Sequence, residues 1–295
     1  MSSDADVYSA FGLTIASEVP LVELAPGTGA PHVTVRRAML SASPASPDAW
    51  TITAARGEAR GWAPGAGAFR VTDGAEILID PMPGADARAV RLAIVGPLLG
   101  VVLAQRGRFV LHASTVGIDG RAIAFTGPSG QGKSTLAAAF TRAGHTFLAD
   151  DMTVIGVDDG QPVVTPGFAR VKLWPDSAAA FDHDISHLPL IHPDRTKRSV
   201  ALPAPEPDTM PLARCYMVED AAAESIDWIS DRASVLSLVA LTYQSLWMHE
   251  TGAAAANLQH CGALARSGVI RRLRRRRAFD ALDDVVRVVE RDVRA

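Results

Sequence analysis

Short apolar runs that alternate with polar residues, cut by Gly, Pro and Asp turns, fill the first eighty positions. Val33-Thr34-Val35 and Glu76-Ile77-Leu78-Ile79 are typical, and the period of two predicts a β-rich N-terminal region over residues 1–85. Ser41 to Pro47 reads as a loop within it. The texture changes at Asp86, and the mainly apolar segment from there to Gln105 is expected to be helical. Its most apolar part, Leu92 to Ala104, is too short to span a bilayer and carries Gly96, Pro97 and Gly100, so it is expected as a buried helix. From residue 109 three apolar strands are predicted: Phe109–Val116, Ala122–Thr126 after a turn at Gly120, and His145–Ala149. Between the last two, Leu136 to Arg142 has helical character and stops at Gly144. Pro203 to Pro211, with four prolines, reads as a linker or surface loop, and no internal repeat is present. Near the end, Phe279, Leu282, Val285, Val286 and Val289 fall on one helical face. This organisation places a second domain at residues 86–295 and an α/β fold overall.

Chemistry enters at the junction of the second strand and the helix. Gly127-Pro128-Ser129-Gly130-Gln131-Gly132-Lys133-Ser134-Thr135 matches the phosphate-cradling P-loop, in the strand, loop and helix order that aims a helix N-terminus at an anion. Glycines let successive N–H groups turn inward, Lys133 adds a charge that reaches the β- and γ-phosphates, and Ser134 can hold Mg²⁺. The alternative is a glycine turn that only joins strand to helix.

Asp150 and Asp151 follow the third strand. A carboxylate beside a phosphate loop can bind Mg²⁺ or accept a proton from an attacking hydroxyl, and two neighbours on an extended segment point different ways, which suggests divided roles. An Asp pair capping a turn is the bland reading. His112 lies in the first of the three strands, and hairpin pairing would bring it toward one end of the sheet. Alone, such a histidine is usually a hydrogen-bonded core residue.

Taken together, His112, the loop fifteen positions later, the helix, and Gly144-His145 leading into Leu148-Ala149-Asp150-Asp151 resemble the catalytic core of the HPr kinase/phosphorylase family. The resemblance implies an HPr-kinase-type nucleotide-binding core, with His112, Lys133 and Asp151 in catalysis, Asp151 as base in the kinase direction, and Ser134 on the metal. It is strong over roughly 105–155. Outside that range the chain resembles only a short stand-alone branch, through Tyr8–Ile15, Leu111–Ser114, Pro166–Trp174 and Leu273–Val289, several of whose members look like kinases for a serine of lasso-peptide precursors. Two features depart from the full-length enzyme. No glutamate stands in 166–174 as second metal ligand, and no phosphorylase signature is found near the C-terminus, which speaks against the reverse reaction.

Charge and composition narrow the partners. Hydrophobic content of 48% with a net charge of −3 excludes a disordered chain and a generic polyanion binder. Cys215 and Cys261 lack metal or redox spacing and are expected as packing residues in a reducing cytosol; Met1 to Asp6 is acidic and polar rather than signal-like, so a cytoplasmic location is expected. Arg170 and Lys172 alternate with Val171 and Leu173, and their common face either holds phosphate or acceptor or simply meets solvent. Arg195-Thr196-Lys197-Arg198 reads as a loop, with Arg195 and Arg198 as contacts to nucleotide or peptide. The run Arg271–Arg277 is expected as a strand entering the C-terminal helix, its charges compensated by Asp280, Asp283, Asp284, Glu290 and Asp292, and not as a nucleic-acid patch.

These readings converge on a kinase that uses ATP and Mg²⁺, with Ser134 and Asp150 on the metal. The acceptor expected is a serine of a peptide or small protein, with neither nucleic acid nor membrane as partner; a homo-oligomer is compatible. Against a transport ATPase of the ABC type stands the lack of a Leu-Ser-Gly-Gly-Gln signature anywhere in the chain. A nucleotide-sensing regulator and a small-molecule hydroxyl kinase are the alternatives.

Overall fold

The computed structural model describes residues 5–40, 46–55, 57–206, 208–243 and 253–295. The chain is a mixed α/β protein with several sheets that divides into two compact units. The first runs from the N-terminus to Arg108 with short segments from 190–196 and up to Ala256; the second takes Phe109–Pro189, Lys197–Tyr243 and Asn257–Ala295. The apolar helical stretch thus groups with the β-rich region, and the division expected at 85/86 falls at 108/109.

In the first unit, β1 (Asp6–Ala10), β2 (Leu13–Ser17), β3 (Ala25–Pro26), β4 (Val33–Arg37), β5 (Thr51–Ala55), β6 (Glu58–Ala63), β7 (Gly67–Thr72) and β8 (Glu76–Pro81) form one eight-stranded sheet in the order β3-β1-β2-β4-β8-β7-β6-β5. Alternate residues such as Ile15, Val33, Val35, Phe69, Val71, Ile77 and Ile79 are buried, as the period of two requires. Most of the predicted loop from Ser41 to Pro47 lies outside the described residues. Next come α1 (Ala87–Ala93), a π-helical turn at Ile94–Leu98 that accommodates Pro97, and α2 (Leu99–Gln105). Among the described residues this Ala87–Gln105 stretch is long and apolar enough to cross a membrane by length and composition, contrary to the shorter segment expected. Two-thirds of its apolar window is packed inside the protein, as a core helix would be.

The second unit begins with β9 (Phe109–Leu111), β10 (Ala113–Ile118) and β11 (Arg121–Thr126), then α3 (Lys133–Arg142) and β12 (Thr146–Ala149). After these come β13 (Thr153–Asp158), β14 (Gln161–Thr165), β15 (Arg170–Leu173) and α4 (Pro175–Ala180). Of the elements that follow in the chain, β16 (Leu190–His192) groups with the first unit, and β17 (Arg195–Ala201), β18 (Met210–Asp220), β19 (Ser225–Trp228), α5 (Asp231–Leu241), α6 (Ala254–Arg266), β20 (Ile270–Arg275) and α7 (Leu282–Arg294) belong wholly or mainly to the second. The single strand predicted over 109–116 is two, broken at His112 because β9 pairs with β13 while β10 pairs with β11 and β12.

Strand direction decides what meets what. β10 is antiparallel to both β11 and β12, whereas β18 is parallel to β11 and β20 is parallel to β18. So β11, β12, β18 and β20 all run the same way and end on one edge, where β10 begins. Along β11, Ile123 and Phe125 join a core with Leu136, Phe140, Val285 and Val289. Ala122 and Ala124 join another with Cys215, Cys261, Leu238 and Leu264. The sheet is therefore covered on both faces, which explains why its strands read as apolar runs without alternation. Both cysteines are buried there, and burial pushes their thiols up to about 12 for Cys215 and about 11 for Cys261.

Candidate functional site

The shared strand edge carries a cavity of about 240 Å³. It is lined by residues of the glycine-rich loop together with His112, Asp150 and Asp151. β11 delivers the loop, the break between β9 and β10 delivers His112, and the end of β12 delivers both aspartates. The predicted helix starts at Lys133 on Gly132, whose φ of +75° is in the left-handed region that favours glycine.

Lys133 is buried, and its Nζ donates to the carbonyls of Gly127 at 2.8 Å and Pro128 at 3.0 Å, curled back over the loop. Burial lowers its pKa, with Lys197 acting in the same direction and Asp151 and Asp150 against it. Thr135 turns to Ser177, hydroxyl to hydroxyl at 3.2 Å.

The two carboxylates are held differently. Asp150 is buried, and its Oδ1 accepts from Ser114 Oγ at 2.6 Å and Ser134 Oγ at 2.8 Å, while its Oδ2 accepts from the backbone N–H of Lys172 at 2.9 Å. Asp151 keeps a third of its side chain exposed, and its Oδ2 accepts from Lys172 Nζ at 2.9 Å. Its backbone is left-handed, φ +72°, so the extended alternation expected of the pair does not apply and both carboxylates line the same cavity. Burial pushes the Asp151 carboxyl upward, but Lys172, His112 and Lys197 outweigh it and hold the group well below the usual carboxylate range.

His112 sits behind this pair. Its Nδ1 is 3.0 Å from the Asp151 carbonyl oxygen and 3.3 Å from Asp151 Oδ1, so the tautomer that fits carries its proton on Nδ1. Burial lowers its pKa, the largest effect on it, which favours the neutral ring. Thr126, the last residue before the loop, donates from Oγ1 to the His112 carbonyl and ties the two segments together.

The Asp150, Ser114 and Ser134 oxygens suit a hard divalent cation. Among the described residues no group of three or more His, Cys, Asp or Glu forms a complete metal cage.

The expected cations separate. Lys172 lines the cavity, but Arg170, two residues before it on β15, reaches Ser199 Oγ at 3.5 Å and does not line it. Residues 195–198 open strand β17 and are not a loop, and from Arg198 to Ala201 that strand pairs with β15. Arg198 donates to the Leu188 carbonyl at 3.0 Å, and Arg195 is exposed within the segment that groups with the first unit. Lys197 lines the cavity instead, with its Nζ 5.1 Å from the centroid of the half-exposed Trp174.

Ser114, Lys197, Trp174 and Arg275 are cavity residues the sequence reading did not single out as site residues. Ser114 had a signal, since it stands two positions after His112 and successive alternate residues of an extended segment share a face. The arginine run does form a strand entering a helix, as expected, but its charges are mostly met elsewhere. Arg272 pairs with Glu219, Arg274 with Asp227, Arg276 with Glu224 and Arg277 with Asp220. Most of the helix acids are spent on other partners: Asp283 on Arg142, Glu290 on His145 and Asp292 on Arg214.

No protein-family model and no curated protein sequence matches the chain. Among solved structures, the Hpr(Ser) kinase/phosphatase from Coxiella burnetii is similar to it, at 11% identity and a TM-score of 0.33, over 62% of this chain and 95% of that one. At that similarity the chemistry has to be argued from the residues themselves.

Proposed function

We propose that this chain is a phosphotransferase that moves the γ-phosphoryl group of ATP, with Mg²⁺, to a hydroxyl group, that of a serine in a peptide or small protein. The observation that carries the reading is the convergence, on one strand edge, of Lys133, Ser134, Asp150 and Asp151 around one cavity.

The charges in the cavity suit such a ligand. Five cations, Lys133, Lys172, Lys197, Arg275 and Arg277, face three carboxylates, Asp150, Asp151 and Asp176. Arg277 is also paired with Asp220 outside the cavity, and the lining still carries a net positive charge, the sign that a nucleoside triphosphate with one divalent cation would need. Ser134 and Asp150, with Ser114 beside them, would hold the metal, which when bound neutralises phosphate charge. Lys133 would leave its two carbonyl partners for the β- and γ-phosphates. Asp151 would take the acceptor proton, which requires that Lys172 release it, and an arriving phosphate offers that ammonium an alternative partner. His112 would hold Asp151 in place through its Nδ1–H.

Replacing Lys133 by Ala should lower phosphoryl transfer at least about a hundredfold, because a charge-assisted contact to the transferring group is lost. The assay is incubation with Mg-ATP and each peptide encoded beside the gene, with mass spectrometry for a phosphoryl group on serine. Undiminished transfer by Lys133→Ala would overturn the kinase reading. Unmodified peptides beside a phosphorylated small alcohol would overturn the peptide acceptor alone.

A further inference from the structure

Five arginines stand at positions 271, 272, 274, 275 and 276 of or just after β20, and a sixth at 277. Arg272, Arg274, Arg276 and Arg277 each have an acidic partner within 4 Å, whereas among the described residues Arg275 has none. Yet Arg275 is the more deeply buried, only 3% exposed. Its Nη2 donates to the Gln131 carbonyl of the glycine-rich loop at 2.8 Å and its Nη1 to the Arg276 carbonyl at 3.1 Å, while Nε is buried with no partner. The guanidinium packs directly against Gly132, where a Cβ would meet its Nη2, although it is the left-handed φ of +75° that favours a glycine there.

A buried cation without an acid is costly, and two peptide carbonyls offset only part of that cost. Burial accordingly lowers its pKa, against a weaker opposing pull from Asp220. Arg275 also lines the cavity beside Lys133. A charge left uncompensated next to an anion site is answered when an anion arrives.

We propose that Arg275 is the positioning residue of the glycine-rich loop, holding it through the Gln131 carbonyl and supplying a fixed positive charge that is compensated only when polyphosphate occupies the cavity. The inference rests on the phosphate-binding reading above and adds to it a residue from the far end of the chain. It needs no phosphoryl transfer to be tested.

The experiment measures binding of inorganic pyrophosphate and of ATP to the full chain by calorimetry, at several salt concentrations, for wild type, Arg275→Gln and Arg275→Lys. Arg275→Gln should weaken both ligands by about 10- to 100-fold, the worth of an interaction with a charged group, and flatten the salt dependence. Arg275→Lys, which keeps the charge but not the fork, should restore the salt dependence and part of the affinity. If Arg275→Gln does not fold, Arg275→Lys and the ¹⁵N-arginine Nε–H signal of the wild type, expected to shift on adding pyrophosphate, carry the test. Unchanged affinity in Arg275→Gln, or equal loss in both variants with the wild-type salt dependence, would overturn the proposal. So would a wild type that binds neither ligand, which would remove the phosphate reading as well. Binding that depends on Arg275, beside no phosphorylation of any peptide or small alcohol in the transfer assay above, would leave the proposal standing and refute the kinase.

Discussion

At the scale of single residues, the two aspartates are distinguished by their partners and not by their type. Asp150 receives two hydroxyls and a backbone N–H, a neutral environment that a metal ion can enter by displacing hydroxyl protons from the same oxygen. Asp151 faces an ammonium and an imidazole, and its carboxylate stays ionised across the neutral range. Asp151→Asn keeps the shape but cannot take a proton, so transfer should fall by roughly a hundredfold or more while ATP binding persists. Asp150→Asn should instead raise the Mg²⁺ concentration needed for half-maximal activity. Metal titrations that show the opposite assignment would exchange the two roles. Adjacent aspartates after an apolar strand were legible in the sequence. Their division of labour was not, because Ser114, Lys172 and His112 come from three other segments.

At the scale of elements, helix ends and strand direction do the positioning. α1 begins at Asp86, whose side chain accepts from Arg88 N at 2.7 Å and pairs with the Arg88 guanidinium, and these bonds hold its carboxyl down at about 2. A depressed carboxylate stabilises the fold above its unfolded value of 3.8, and that contribution is lost as the pH falls through 3.8 toward about 2. Asp86→Ala should therefore lower stability at neutral pH by about 1 kcal/mol, as loss of a helix cap does, and the difference from wild type should shrink below pH 3.8. Denaturant melts at pH 7 and at acid pH, read by circular dichroism, check both statements. The helix, the loop and the three strands around the site were readable from the glycine motif and from apolar runs bounded by turn residues, but the break at His112 was not. That break exists because its two sides pair with different strands far along the chain, and local pattern carries no record of the partner.

At the scale of the whole molecule, a chain of net charge −3 concentrates five cations against three carboxylates in one cavity. Raising salt from about 0.05 M to about 0.5 M should therefore weaken ATP binding while leaving the weaker binding of uncharged adenosine nearly unchanged, and equal sensitivity of the two would contradict an electrostatic site. The separation of the chain at 108/109, with the apolar helical stretch on the β-rich side, is likewise a property of packing. Hydrophobic periodicity shows that a stretch will be buried and says nothing of which neighbour will cover it. What the sequence determined by itself was local: the turn at Gly120, the glycine loop with Lys133 and Ser134 at a helix start, and an Asp pair at a strand end. Each depends on conformational preferences within about ten residues, which the chain states directly. What only the tertiary structure decided was long-range: Lys172 on Asp151, Lys197 in place of Arg195 and Arg198, and Arg275 beneath a loop 144 residues earlier in the chain. Arg275 meets the loop because β11, β18 and β20 run in one direction to a common edge, whereas Lys172 and Lys197 arrive on β15 and β17 of a separate three-stranded sheet; strand order is set by pairing and two-sided burial across the whole fold, which no single segment contains.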